Sequence, residues 1–289
     1  MDVVTCEGLV KKFRNKTVLN QINIRIPKGV TMVMGKNGSG KSTLLKILST
    51  ILPADSGSAT VGGYPLKEKR KIRRIISYLP QETLIEDVLT VREIITLQAK
   101  LFDVPITTAL EITERLGLNE LNTLAGELSG GMKKRLCVAL ALIPDREIYL
   151  LDEPFEGVDF SGKLRIKELI EEKIENGRNV ILVSHTATGF EDEVDCIVIL
   201  DQGNLVFSGK PEELRERFSE VAAIRSNSDW GLIRDAVKAG FVVTQIDSVS
   251  VVGPNYELKS LTGKYGVKPR KASIGEIYAF CVSKGGWRS

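Results

Sequence analysis

The 289-residue sequence is short of several features at once. It has four cysteines, Cys6, Cys137, Cys196 and Cys281, and no two stand as a C-x-x-C pair. So scattered, they read as small buried hydrophobes in a reducing, cytosolic compartment. No apolar run approaches the ~20 residues of a membrane-spanning helix. Stretches such as 179–183 and 196–200 are far too short, so the chain is not expected to be a channel or carrier itself. Residues 1–13 lack the apolar segment of a secretory signal. Nor is one sign of charge in excess: Lys+Arg 40 against Asp+Glu 37 leaves +3. That is too balanced for a surface that tracks nucleic-acid phosphates, and no nucleic acid partner is expected. There is no internal repeat and no low-complexity segment. What remains is ordinary globular composition, 43% hydrophobic and 27% charged with a mean hydropathy of -0.01. At 31.8 kDa the chain has room for one large domain and a small appendage.

The texture changes along the chain. Up to about residue 65, alternation at 17–26 and 59–62 predicts short antiparallel strands flanking one buried strand, 30–34, that leads straight into Gly35. From about 82 to 145 the spacing is helical, with apolar residues three and four apart over 91–102 and 107–116 and Gly117 as a stop. After Arg146, apolar runs at 148–151, 180–183 and 196–200 alternate with a charged helix at 161–176, the pattern of a parallel sheet buried on both faces. Beyond Phe218 a separate α+β unit is expected, with a strand at 221–225, a helix at 230–239, strands near 241–252 and a last helix at 274–282. Residues 220–289 carry ten Lys/Arg against six Asp/Glu, so the basic bias is local to this tail.

Gly35-Lys36-Asn37-Gly38-Ser39-Gly40-Lys41-Ser42 satisfies G-x-x-x-x-G-K-[ST]. It follows the expected strand and precedes an apolar helix expected over 43–52, the context such a loop requires. Glycines let the backbone wrap a phosphate chain, with amide groups and a helix N-terminus aimed inward. Lys41 is placed to reach β- and γ-phosphates, and the Ser42 hydroxyl to hold Mg2+. Further on, the apolar strand Ile148-Tyr149-Leu150-Leu151 ends in two adjacent acids, Asp152 and Glu153. Acids at that position are expensive unless a cation or a proton transfer uses them. Asp152 suits a place behind Mg2+, one ligand removed, and Glu153 suits polarising an attacking water.

Between these motifs lies Leu128-Ser129-Gly130-Gly131-Met132, followed by Lys133-Lys134-Arg135. With it the sequence resembles the ATPase subunits of ABC transporters, over about residues 2–216. The resemblance implies an α/β fold: a P-loop NTPase core of RecA-like type, an antiparallel β-subdomain, an inserted helical lobe at about 82–145 and a small C-terminal α+β unit. It divides the chain into an ATPase domain, 1–218, and an accessory domain, 219–289. Residues Gly35 to Ser42 then hold ATP, Phe13 stacks on its adenine, and Gln81, after Tyr78-Leu79-Pro80, is the Q-loop residue that touches Mg2+ or water. Gly157-Val158-Asp159 is the D-loop, and the chain's only histidine, His185 in Val183-Ser184-His185-Thr186, senses the γ-phosphate. Ser129, Gly130 and Gly131 serve the ATP of a second subunit in a head-to-tail dimer. Catalysis falls to Glu153, His185, Gln81 and Lys41, nucleotide contact also to Asp159, and Mg2+ to Ser42, Gln81 and Asp152.

Two positions depart from the commonest family pattern, Met132 in place of Gln and Phe155-Glu156 after the paired acids. The Met132 variant resembles that of exporters of drugs, polysaccharides and small peptides, and residues 272–278 resemble the C-terminal extension of export-type subunits. The resemblance also implies partners: an integral membrane permease subunit whose cytoplasmic helix docks near Gln81 and the lobe, and a second ATPase subunit, identical or not. The chain would then sit on the inner face of the cell membrane. A soluble ABC ATPase of the cluster-assembly or regulatory kind stands as the alternative. Lys41 and Ser129, 88 positions apart, leave no room for the coiled-coil insertion of chromosomal relatives. A binding-only subunit is disfavoured because every motif residue is present. The basic run 264–271 is expected to be a solvated loop, and Trp230 and Trp287 are expected to pack.

Overall fold

A computed structural model describes residues 2–82, 85–184, 190, 193–226, 229–245 and 249–284. The chain divides into two compact units, Met1–His185 with Asp195–Ser208, and Thr186–Val194 with Gly209–Ser289.

The first unit opens with strands β1 (Val4–Phe13) and β2 (Lys16–Ile26), then β3 (Val30–Met34), helix α1 (Lys41–Leu48), β4 (Ser56–Val61) and β5 (Tyr64–Pro65). Helix α2 (Lys69–Ile75), β6 (Ile76–Leu79), α3 (Val91–Phe102), α4 (Ile106–Arg115), a 3-10 turn (Ala125–Glu127) and α5 (Gly130–Leu142) follow. The unit closes with β7 (Ile148–Asp152), α6 (Phe160–Glu175), β8 (Asn179–Val183), β9 (Cys196–Asp201) and β10 (Asn204–Gly209).

Every residue of β3 and β7 is buried, and β8 and β9 are nearly so, as continuous apolar runs must be in a sheet covered on both faces. The six strands run in the order β10-β9-β3-β8-β7-β6, and the β9-β3, β3-β8, β8-β7 and β7-β6 pairs are parallel. Alternation in β1, β2 and β4 gives a second, antiparallel sheet, β2-β1-β4-β5. Leu44, Leu45 and Leu48 of α1 are packed in one core with Leu9 and Ile22 of that sheet and with Leu150 and Val198 of the parallel sheet. The helical lobe is the excursion between neighbouring strands β6 and β7. A capping box at Thr90 and Glu93 starts α3, and Asp103 in the left-handed region ends it.

The sequence pattern missed β1 as a strand, α2 and β6, and it ran α1 four residues too far. The chain turns at Thr50, φ 64, with the Ile51 and Leu52 amides both donating to Lys46 O, so the apolar residues after Leu48 cannot extend the helix.

The second unit holds α7 (Pro211–Arg217), β11 (Val221–Arg225), α8 (Trp230–Lys238), β12 (Val242–Gln245), β13 (Val249–Pro254), α9 (Asn255–Tyr265), β14 (Arg270–Lys271) and α10 (Ile274–Lys284). Its sheet has the order β12-β13-β11-β14 and is antiparallel throughout. Ile224, Leu232, Val251 and Leu258 form its core. Helix α7 belongs here because it packs on α10, whereas the sequence boundary at 218 left it with the ATPase domain. Residues 264–271 are not a solvated loop. Lys264 Nζ and Tyr265 Oη both donate to Asp235 Oδ2, at 2.5 and 2.6 Å, and Arg270 lies in β14 bound to Glu276. Trp230 does not pack either: it is 77% exposed, because α8 buries Leu232 and Ala236 and turns its first residue outward. Trp287 lies outside the described residues.

Candidate active site

The glycine-rich loop joins the central strand β3 to α1. Gly40 precedes α1 at φ 106, and a Cβ there would stand 2.7 Å from both Val18 O and Leu19 Cδ2. Only glycine fits both the dihedral and the contact. Lys41 is the first residue of α1, and its buried ammonium turns back inside the loop, donating to Gly35 O at 2.6 Å and Lys36 O at 3.2 Å. Burial pulls the Lys41 amine below its ordinary value, opposed by Glu153, Asp152 and Glu156. The loop borders a cleft of about 300 Å³ lined by Asn37, Gly38, Gly40, Lys41, Ser42, Gln81 and Glu153 among others. Gly35, Lys36 and Ser39 shape the loop from behind, the Ser39 amide donating to Lys36 O at 3.0 Å.

The two acids reach the same place through strand register. Val183 of β8 is paired with Val33 of β3 on one side and Asp152 of β7 on the other. The loop and the end of β7 therefore flank one strand at one level. The Glu153 amide donates to Val183 O at 3.1 Å, and Glu153 adopts φ 49, uncommon for a residue with a side chain. Asp152 is fully buried, and neither carboxylate oxygen has a hydrogen-bond partner of normal geometry among the described residues. Burial pushes its carboxyl above the usual range, offset in part by Ser42, Lys41 and Lys134. Gln81 spans the mouth: Ser42 Oγ donates to its Oε1 at 3.4 Å, and its Nε2 donates to Glu156 Oε2 at 3.3 Å.

The Ser-Gly-Gly segment stands apart from this cleft. Ser129 caps α5, accepting from the Met132 amide at 3.2 Å, and is exposed. A Cβ on Gly131 would meet Gly157 O at 3.1 Å, so α5 approaches the 157–159 turn at backbone distance. Asp159 caps α6, accepting from the Gly162 amide at 3.3 Å. None of 129–131 or Asp159 is among the residues that line the cleft.

The family described as ABC transporter matches residues 19–156. The linearmycin resistance ATP-binding protein LnrL of Bacillus subtilis (strain 168) is 33% identical over 222 residues, 74% of this chain and 71% of that protein. The probable multidrug ABC transporter ATP-binding protein YbhF of Escherichia coli (strain K12) is 33% identical over 251 residues, 82% of this chain and 43% of that protein. The chain belongs to the ATP-binding subunits of ABC transporters. In fold it is similar to a solved ATP-binding subunit of an ABC transporter, with a TM-score of 0.68 at 23% identity over 75% of this chain and 93% of that one. A dimeric cassette, MJ0796, solved after hydrolysis with ADP and Pi, has a TM-score of 0.65 at 25% identity over 72% of this chain and 98% of that one. As a member of this family the chain is an ATP-binding ATPase of α/β type.

Within this ABC subunit, Phe13 ends β1 with its ring 46% exposed, clear of the residues that line the cleft. The Lys11 ammonium lies 5.5 Å from the centre of that ring and is held by Asp55 Oδ1 at 2.8 Å. His185 lies outside the described residues. The sequence shows Lys134 only as part of the basic run after Met132; in the fold it is a buried lysine of α5 that donates to Gln81 O at 3.2 Å and ties the lobe to the cleft's mouth. Its only signal was a basic residue on the inward face of a helix otherwise apolar there. Glu156, in sequence a departure from the family pattern, anchors Gln81.

Proposed function

We propose that this subunit hydrolyses ATP in a head-to-tail dimer to drive export through separate membrane subunits. The observation that carries the reading is the separation of Ser129-Gly130-Gly131 from the cleft their own chain's P-loop borders. A capped, exposed helix start with open amides serves a γ-phosphate brought by another subunit. In each half-site, Gly35 to Ser42 wrap the phosphates, Lys41 leaves its carbonyl partners for them, and Phe13 stacks on the adenine. Glu153, buried beside the cleft, orients the water and takes up its proton, while His185 and Gln81 hold the γ-phosphate side, and Asp159 adds a nucleotide contact.

The residues present fit Mg2+. Asp152 offers two buried oxygens without normal partners, and Ser42 and Gln81 offer oxygens at the mouth. Mg2+ held there would neutralise charge on the phosphates. An apolar groove of about 410 Å³, between the end of α1, β6, α3 and α5, suits a cytoplasmic helix of the permease, since Leu79 and Pro80 in its lining lead directly to Gln81. No helix among the described residues is long and apolar enough to cross a membrane, so this permease would bring the subunit to the inner face of the cell membrane. The names of the drug-resistance relatives favour export over the non-transport alternative. The ATPase work is assigned to the expected domain 1–218 without α7, which packs with the accessory unit expected over 219–289.

The test is size exclusion of Glu153→Gln with ATP. We expect an ATP-stabilised dimer and hydrolysis reduced at least about 100-fold. Adding Ser129→Arg should abolish the dimer while ATP binding by the monomer persists. A monomeric Glu153→Gln, or loss of ATP binding in the Ser129→Arg protein, overturns the composite site.

A further inference from the structure

Helix α2 is built from two residue types. Its sequence, Lys69-Arg70-Lys71-Ile72-Arg73-Arg74-Ile75, contains only bases and isoleucine. Ile72 is fully buried and Ile75 half-buried, while all five bases are exposed. Lys67, just before the helix, is exposed as well. The whole chain is only +3, yet residues 67–74 hold six bases against one acid, Glu68.

The fold accounts for only two of the six bases, Lys71 and Arg73. Glu68 pairs with Lys71 at 2.5 Å, and Arg73 is held by Thr50, its Nε donating to Oγ1 at 2.9 Å and its Nη2 to the carbonyl at 3.2 Å. Lys67, Lys69, Arg70 and Arg74 make no ion pair or side-chain hydrogen bond among the described residues. Lys69–Arg73 and Arg70–Arg74 are like-charge pairs at i,i+4, and Arg70–Arg73 and Lys71–Arg74 are such pairs at i,i+3. Each opposes the helix. Three bases also crowd the first turn, where the helix dipole is positive and no acid stands within the helix. A seven-residue helix that works against its own electrostatics is a local conflict of the kind found at functional surfaces.

We infer that α2 is a docking face for an anionic lipid surface. Two observations choose this occupant. The face offers charge with almost no exposed apolar residue, which suits headgroups better than a packed protein interface. Arg73 lines the apolar groove assigned above to the permease helix, so α2 forms part of that groove's wall. The inference rests on the docking reading only for where the membrane lies: a groove that receives the permease stands against the bilayer, and the bases beside it meet the leaflet's negative surface potential. Lipid charge would then help orient the subunit and relieve repulsion within α2.

The test uses the purified full chain and vesicles, with no permease. We expect sedimentation with vesicles containing one third phosphatidylglycerol, no binding to pure phosphatidylcholine, and loss of binding in high salt. Replacing Lys67, Lys69, Arg70 and Arg74 together by Gln, which keeps helix propensity, should lower partitioning by about fivefold per residue and leave basal ATPase activity unchanged. Neutralising Lys259, Lys268 and Lys271 of the basic tail should leave partitioning intact. The proposal is overturned if the fourfold variant partitions like the parent, or if the parent ignores anionic vesicles at low salt. It is also overturned if recruitment needs the permease and is indifferent to lipid charge, which would make the occupant an acidic protein segment. Ile51→Asn in the groove should weaken permease association but not vesicle binding, separating failure of this proposal from failure of the docking reading.

Discussion

Two buried acids, one in each unit, are treated in opposite ways. Glu276, at the start of α10, receives Arg270 Nη1 and Nη2 at 2.8 and 2.6 Å and the Ser273 amide at 2.8 Å. Burial alone would raise its carboxyl, but these donors win and hold it below the ordinary value. Asp152 is buried at least as deeply, has no normal hydrogen bond among the described residues, and is held above the ordinary value by burial. Glu276 completes a structure, clamping β14 to α10 and closing a capping box with Ser273. Asp152 is an unsatisfied group kept ready for a positive charge from outside the chain.

The comparison breaks most visibly at Glu276. Glu276→Ala removes both charge-assisted bonds from Arg270 and the cap with Ser273, so the second unit should lose about 3 kcal/mol. Hydrogen exchange should show the loss over residues 221–284 with ATP binding intact; unchanged protection would mean the clamp is ornamental. Lys41→Ala should weaken ATP binding by about 2–3 kcal/mol, since the charge-assisted bonds to phosphate are lost. Equal ATP affinity by calorimetry would remove Lys41 from the site.

Asp152→Asn should do the reverse of Glu276→Ala. Without ligand, melting should show it more stable than the parent by about 1–2 kcal/mol, because a buried unpaired charge is gone, while the extra stability given by Mg2+ with ATP disappears. The pH windows sharpen the contrast. Asp152 has a raised folded value, so its burden is present at neutral pH and lifts as pH falls through that value; the Asn variant's advantage should fade in mild acid. Glu276 has a lowered folded value, so its contribution is whole above the ordinary glutamate range and is lost only as pH falls below it. An advantage of Asp152→Asn that grows in acid would contradict this account.

Much of the first unit was legible because its information is local. The loop from Gly35 to Ser42, the strand ending in Asp152 and Glu153, and Leu128 to Met132 each carry their chemistry in consecutive residues. Helix α2 and strand β6, with seven and four residues, are too short to display a period, and the charge of α2 hides any amphipathic signal but Ile72 and Ile75. In the second unit the clamp joins Arg270 to Glu276 through a strand two residues long, and Asp235 binds Lys264 and Tyr265 from 29 and 30 positions away. Such pairings look like a solvated basic loop until the chain is folded. The contact of Lys134 with Gln81 and the Lys11–Asp55 pair were invisible for the same reason.

The lobe's attachment bears on how such a protein can be re-engineered. Strands β6 and β7 are paired residue for residue, from Ile76 with Ile148 to Leu79 with Leu151. Residues 80–147 therefore leave and re-enter the sheet at neighbouring, register-locked points, like a cassette between two fixed sockets. Lengthening, shortening or transplanting that stretch changes what the subunit presents outward without sliding Asp152 against the loop at Gly35, because their spacing is set by Val183 and not by the excursion.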